Sequence, residues 1–238
     1  MDLKEAGLLA GSAETHWYYQ SKAAAVSYYT RSLPIAGILD IGAGSGFFTR
    51  YLLQRTPATV GICVDTGYPC DWDEEFCGKP LHFRRVCAEV GANLVLLMDV
   101  LEHVDDDSAL LAQYAAKVAS GARFVITVPA FKWLWSEHDV FLEHRRRYRM
   151  EELVTAVARA GLTVLHSSYF FGLVLPLAAA TRLPSRLHRQ RQRPARSQLR
   201  KHGWFTNTTL SALCHLELPI LRFNRLGGLS VFCLAAKP

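Results

Sequence analysis

The stretch Ile38-Leu39-Asp40-Ile41-Gly42-Ala43-Gly44-Ser45-Gly46 decides the fold. Its first four residues, three of them apolar, have the length and character of a buried strand, and they run straight into glycines at three alternate positions. Phe47, Phe48, Tyr51 and Leu52 follow at the spacing of one helix face. Strand, glycine turn and helix form the ligand-loop arrangement of an open α/β sheet, in which a backbone free of Cβ atoms approaches a ligand closely. A dinucleotide fingerprint would need its third glycine at position 47. Phe47 stands there and the glycine sits at 46, which favours a different adenosyl cofactor.

Outward from this point the chain alternates. Thr59 to Val64 reads as a second strand ending at Asp65, and Asn93 to Met98 as a buried strand ending at Asp99. Leu110, Leu111, Tyr114 and Val118 give a helix stripe closed by Gly121, and Ala122 to Val128 is a strand stopped by Pro129. Glu151 and Glu152 open a helix at the end where acids suit its dipole, Gly161 ends it, and strands follow over Leu162 to Ser167 and Leu229 to Ala235. Such alternation predicts a mostly parallel sheet with helices on both faces. Upstream, residues 14–33 are aromatic-rich at helical spacing and Pro34 ends them, so 1–34 is expected to form an N-terminal helical lid or brace. Residues 130–149 and 171–228 interrupt the alternation and are expected to be substrate-side insertions of a single domain spanning 1–238.

Composition bounds the rest. A 238-residue chain that is 50% hydrophobic builds a sizeable core, which excludes global disorder. The net charge of +6 is local: seven basic residues lie between Arg186 and Lys201 with no acid among them, and the remainder carries 20 basic against 21 acidic side chains. The longest apolar run, Tyr169 to Ala180, contains Pro176 and falls short of the roughly 20 residues a bilayer span needs. Asp2, Lys4 and Glu5 break any apolar leader after Met1, and the six cysteines show neither a CxxC pair nor zinc spacing. The expectation is a cytoplasmic protein with reduced thiols and no metal.

The glycine stretch resembles the first motif, hhDhGxGxG, of the class I S-adenosylmethionine-dependent methyltransferases. Asp65 stands where that family carries an acid after its second strand, and Leu96-Leu97-Met98-Asp99-Val100-Leu101-Glu102-His103 resembles its DVLEH variant. The resemblance covers about residues 35–170 and the final strand. It implies a Rossmann-like three-layer αβα sandwich with a mostly parallel seven-stranded sheet. It also implies S-adenosylmethionine as cofactor and S-adenosylhomocysteine as product. Asp65, with Thr66 beside it, is then placed at the ribose hydroxyls, for which a carboxylate supplies two acceptor oxygens. Asp40 would hold the loop and the methionine ammonium end; Gly42, Ala43, Gly44, Gly46 and Phe47 would line the cofactor. Asp99 and Val100 would lie beside its methionine part, and Cys87, Ala88 and Glu89 near the adenine.

Trp133-Leu134-Trp135-Ser136-Glu137-His138-Asp139 and His144-Arg145-Arg146-Arg147-Tyr148-Arg149 resemble the WLWSEHD…HRRRY segment of a bacterial branch associated with polysaccharide, lipid and secondary-metabolite pathways. In that branch the segment faces the methyl donor. Histidine is the natural base near neutral pH, so His138, then His103, then His144 are the expected catalytic groups. Tyr18, Trp133, Trp135, Arg145 and Tyr148 are expected on the acceptor side. The plain alternative is that Glu137, His138, His144 and the arginines only fold the connection, and that the tryptophans are core.

The expected activity is methyl transfer to a small or lipid-linked organic acceptor, most naturally at oxygen. Residues 171–205 run apolar first and basic second, an order suited to peripheral contact with the inner face of an anionic membrane. The basic run equally suits RNA, which makes an RNA methyltransferase the first rival; the lack of an RNA-binding module and of an Asn/Asp-Pro-Pro-aromatic motif argues against it. The second rival is a catalytically silent, membrane-peripheral accessory protein that keeps the fold.

Overall fold

The computed structural model describes residues 13–88, 90–187 and 203–238. In chain order, helix α1 (Trp17–Thr30) precedes β1 (Gly37–Ile41), α2 (Phe47–Arg55), β2 (Val60–Val64), the hairpin of β3 (Trp72–Phe76) and β4 (Lys79–Arg84), and β5 (Leu94–Met98). There follow α3 (Asp107–Ala116), β6 (Arg123–Pro129), the short α4 (Glu137–Phe141), α5 (Met150–Arg159), β7 (Thr163–Phe170), α6 (Leu175–Leu187), α7 (Trp204–Glu217) and β8 (Ser230–Ala236). The strands form one sheet in the order β3-β4-β2-β1-β5-β6-β8-β7. Neighbours from β4 to β6 pair in parallel, whereas β3 and β8 run antiparallel to theirs. This is the Rossmann-like αβα architecture, and its strand order reverses between β1 and β5, where such sheets open a crevice.

Side-chain alternation sorts the central strands into two cores. Ile38, Leu94, Leu96, Met98 and Phe232 pack with Tyr19, Ala23 and Val26 of α1, with Phe48 and Leu52 of α2, and with Leu210 and Cys214 of α7. Leu39, Val95, Leu97, Phe124 and Ile126 face the other way, against Leu111 and Tyr114 of α3 and Leu153 and Val157 of α5. Burial on both faces explains why β5 reads as an unbroken apolar run and why β1 and β6 are apolar apart from Asp40, Arg123 and Thr127.

Two expectations need adjustment. The sheet has eight strands where seven were expected, because Trp72–Phe76 folds back on β4 through Cys77 and Gly78, whose φ values of +53° and +72° make the tight turn a hairpin requires. The N-terminal helix is shorter than residues 14–33: it starts after His16, whose Nδ1 accepts a hydrogen bond from the Tyr18 amide at 3.3 Å, and ends at Thr30. Within 171–228 the structure shows α6, α7 and a 3-10 turn over Leu218–Phe223. α7 grips α1: the Asn207 side chain accepts from the Trp17 amide at 2.9 Å and donates to the Thr15 carbonyl at 2.9 Å. The buried Glu217 accepts from the Gly172 amide at 2.9 Å and the Asn224 side chain at 3.2 Å, tying the end of α7 to the exit from β7. The basic run lies mostly outside the described residues. No helix among the described residues is long and apolar enough to cross a membrane.

At Gly228 the final strand passes so close to β7 that a Cβ would sit 2.1 Å from the Phe170 carbonyl oxygen. Gly228→Ala should therefore lower stability by about 3 kcal/mol, a fall of roughly 6–12 °C in thermal midpoint for a domain of this size. Gly91→Ala, where a Cβ meets nothing within 4 Å, should leave it within about 1 °C.

Candidate active site

The carboxyl ends of β1, β2 and β5 meet at the glycine turn. Gly42, Gly44 and Gly46 have φ of +64°, +54° and +73°, so the chain leaves β1 through left-handed steps that a side chain would strain. The Gly42 and Ala43 amides donate to the Val64 carbonyl at 2.7 and 3.2 Å, holding the turn to the end of β2. A Cβ on Gly42 would lie 2.7 Å from Val100 Cγ2, so the turn also abuts the segment that follows β5. Asp65 closes the arrangement: one oxygen accepts from the Gly44 amide at 3.0 Å and the other from the Gly67 amide at 2.9 Å. Tyr68, absent from the sequence reading, donates its hydroxyl to the Gly44 carbonyl at 2.6 Å. Asp40 is buried beneath the turn; Thr49 donates to one oxygen at 2.8 Å and the other has no hydrogen-bond partner. Burial raises its carboxyl above the usual range.

Asp99 ends β5 with φ at +58°. Its amide donates to the Thr127 carbonyl at 3.0 Å, and its Oδ1 accepts from the Thr127 hydroxyl at 3.1 Å. Its other oxygen meets the Lys22 ammonium and, at 3.3 Å, the Tyr18 hydroxyl. The Lys22 side chain is 0% exposed and also donates to Tyr18 Oη at 3.0 Å. Burial opposes both charges, but each stabilises the other, so Asp99 titrates below its usual value and Lys22 above. Lys22 was missed in the sequence. Its only signals there are isolation among Ala23, Ala24 and Ala25 and its position one turn after Tyr18.

Beyond Asp99, a 3-10 turn over Leu101–His103 carries Glu102 inward. Glu102 is 0% exposed with neither carboxylate oxygen hydrogen-bonded, and burial, with Asp99 nearby, raises its carboxyl well above the usual range. The 130–149 connection brings two histidines to His103: the His103 and His144 rings stand 4.9 Å apart and nearly perpendicular, and His138 lies 6.5 Å from His144. Burial pushes the His138 imidazole down to about 4, leaving it neutral at pH 7. The connection is fixed by Asp139, fully buried, which accepts from Arg147 Nε at 2.6 Å and Nη2 at 3.0 Å, from the Ser136 amide at 2.8 Å and from His144 Nδ1 at 3.0 Å. Burial opposes its charge, yet these donors hold the Asp139 carboxyl far below the usual range.

Other expected residues lie apart from this centre. Tyr148 is not an acceptor contact: it is buried, and its hydroxyl bonds the Leu101 carbonyl at 3.1 Å and Asp107 at 2.9 Å, bracing the 3-10 turn from below. Phe47 is likewise a core residue, packed edge-on against Tyr19 and Phe48 rather than open to a ligand. Arg145 is exposed and paired with Asp105. Trp133 is 38% exposed and stacks on Phe131, and Trp135 is half-buried. Thr66 and Ala88 are exposed, Cys87 is buried with its thiol on the Ala88 carbonyl, and Glu89 lies outside the described residues. Tyr18 does reach the centre, stacked on Phe171 at 5.2 Å with its hydroxyl on Asp99.

Residues 34–167 match a family described as a methyltransferase domain. No curated protein matches the chain. Among solved structures, the chain is similar to one from the complex of the Haloferax volcanii Trm112 methyltransferase activator with a methyltransferase: 17% identity, TM-score 0.56, over 96% of this chain and 93% of that one. It is also similar to a sarcosine dimethylglycine methyltransferase from Galdieria sulphuraria, with 13% identity and TM-score 0.52 over 92% and 86% of the two chains. A third is phosphoethanolamine N-methyltransferase 2 of Haemonchus contortus, solved with S-adenosyl-L-methionine, with 13% identity and TM-score 0.53 over 90% and 52%. At these identities the likeness establishes the fold.

Removing one partner of the Lys22–Asp99 pair strands a desolvated charge. Asp99→Asn, which leaves the 0%-exposed Lys22 side chain alone, should lower stability by about 3 kcal/mol in denaturant unfolding, and adding Lys22→Met should restore more than half of the loss. Strictly additive losses would show that the two groups do not interact.

Proposed function

The chain belongs to the class I S-adenosylmethionine-dependent methyltransferases, and on that premise we propose that it methylates an oxygen of a small or lipid-linked organic acceptor. When bound, S-adenosylmethionine would supply a sulfonium-bound methyl group for an acceptor nucleophile to attack in line, with the C–S bond breaking and S-adenosylhomocysteine leaving. The residues present fit that donor: three left-handed glycines leave a bare backbone cradle, and Asp65 stands on the cradle with lone pairs to spare for ribose hydroxyls. The unpartnered Asp40 oxygen beneath the turn is an acceptor suited to the ammonium end. Asp99 and Val100 are assigned to the methionine part, and Cys87 and Ala88 to the adenine.

One observation carries the choice of reaction: Val100 abuts Gly42, so the donor cradle and the histidine-bearing segment after β5 form one continuous edge. His138, neutral through burial, is assigned as the acceptor of the hydroxyl proton, with His103 and His144 beside it. Positioning donates the rest of the acceleration, because a displacement at carbon needs alignment above all. Trp133, Trp135 and Tyr18 are assigned to the acceptor side. A lipid-linked acceptor is supported by the apolar side chains Leu173, Leu177, Trp204 and Phe205, each at least 50% exposed and flanking the basic run in sequence. Segment 171–205 would then rest on an anionic membrane face, each basic residue contributing up to about 1 kcal/mol.

The test is transfer of tritiated methyl from S-adenosylmethionine to a panel of hydroxyl and amine acceptors, soluble and vesicle-borne, with donor affinity measured in parallel by calorimetry. Asp65→Ala should weaken donor binding at least about 10-fold, and His138→Gln should lower turnover about 100-fold at unchanged donor affinity. Label on amines alone would contradict the oxygen assignment, and absence of donor binding by the unaltered protein would contradict the cradle.

A further inference from the structure

We propose that Glu102, His103 and His144 form a binding site for one divalent transition-metal ion. One carboxylate oxygen and one nitrogen from each ring lie within 4.8 Å of one another. Ligand atoms bound to a common ion at about 2.0–2.2 Å stand roughly 3–4 Å apart, so the three side chains need close by only about 1 Å.

The electrostatics of the cluster call for a cation. Glu102 is 0% exposed and both its oxygens lack hydrogen-bond partners. The His144 side chain is 6% exposed, and its Nε2, also without a hydrogen-bond partner, stands 3.9 Å from Glu102 Oε1. On the far side of the ring, Nδ1 lies 3.0 Å from Asp139 Oδ1. Asp139, gripped by the Arg147 fork, takes the Nδ1 side of the ring and leaves Nε2 turned toward Glu102. Glu102 Oε1 and His144 Nε2 thus face each other in a buried site without a hydrogen bond joining them, and a cation between them would give both a partner.

The surroundings are those of a built site. A carboxylate that fixes the tautomer of a liganding imidazole is the usual outer support of a metal-bound histidine. The Arg145 amide donates to the Glu102 carbonyl at 2.8 Å, which fastens the His144 segment to the turn that carries Glu102 and His103. Two imidazoles and one carboxylate, with no thiolate, suit Zn²⁺, Fe²⁺ or Mn²⁺ and leave coordination positions open. An acceptor hydroxyl taking one of those positions would ionise more readily; this use of the ion rests on the proposed transfer to oxygen, whereas the site itself does not.

The experiment is metal titration of the chelator-treated, dialysed full chain, with Co²⁺ followed by its visible absorption and Zn²⁺ and Mn²⁺ by calorimetry. One equivalent should bind, with affinity reduced at least about 100-fold in Glu102→Gln and His144→Gln and about 10-fold or more in Asp139→Asn. Thermal unfolding and S-adenosylhomocysteine binding by the same samples report separately on the fold and the donor cradle. Glu102→Gln should remain folded, because it keeps the shape of the side chain while removing the carboxylate. The proposal is overturned if the unaltered chain binds none of the three ions, or binds them no more tightly than the folded Glu102→Gln and His144→Gln variants do; a proton shared between Glu102 and His144 would then fill the gap.

Discussion

The ion pair between Lys22 and Asp99 is the contact on which the geometry of this site depends. Asp99 is the residue at which β5 turns out of the sheet, and Lys22 reaches it from the middle of α1. Because α1 is in turn gripped by Asn207 of α7, one buried charge contact couples the N-terminal helix and the C-terminal insertion to the edge where the donor cradle lies. Such a pair adds little net stability, since desolvation of two charges offsets most of their attraction. What it does impose is position: leaving either charge alone is costly, so the helix, the strand end and the Tyr18 hydroxyl between them have one low-energy arrangement.

The same edge stores backbone strain. Gly42, Asp99, Phe131 and Phe171 all have φ between +57° and +65°, and they follow β1, β5, β6 and β7. For the two phenylalanines a left-handed backbone costs on the order of 1–3 kcal/mol each. Ring packing offsets that cost: Phe131 stacks on Tyr169 at 5.0 Å, and Phe171 on Tyr18 at 5.2 Å. These reversals turn the chain sharply at the strand ends, where the 130–149 connection and the segment beginning at Phe171 leave the sheet. A sheet with gentler exits would spread its loops away from the switch point between β1 and β5.

What could be read from the sequence follows from the same physics. β1, β5 and β6 were legible because strands buried on both faces are predominantly apolar, and the glycine turn because few other functions need three left-handed steps in five residues. The β3–β4 hairpin was not, because Asp73, Glu74 and Glu75 face solvent at the sheet edge and carry no apolar period. Lys22 was hidden among alanines, since a lone lysine on a helix is ordinarily solvated and only the tertiary contact buries it. The histidines were visible as residue types, but the contacts that orient them were not. His138 stood out beside Trp135, whereas the Asp139 contact that orients His144 depends on a fold-back of the chain through Arg147. Glu102 had no signal at all beyond its place in the DVLEH run, because its isolation from hydrogen-bond donors exists only in three dimensions.

The central claim is that donor cradle, ion pair and histidine cluster form one edge around one reaction. A crystal structure with S-adenosylhomocysteine tests it most directly. The account predicts the ribose against Asp65, the homocysteine portion beside Gly42 and Asp99, and Lys22 still on Asp99. Product bound away from the glycine turn, or a Lys22 released from Asp99 on binding, would contradict it.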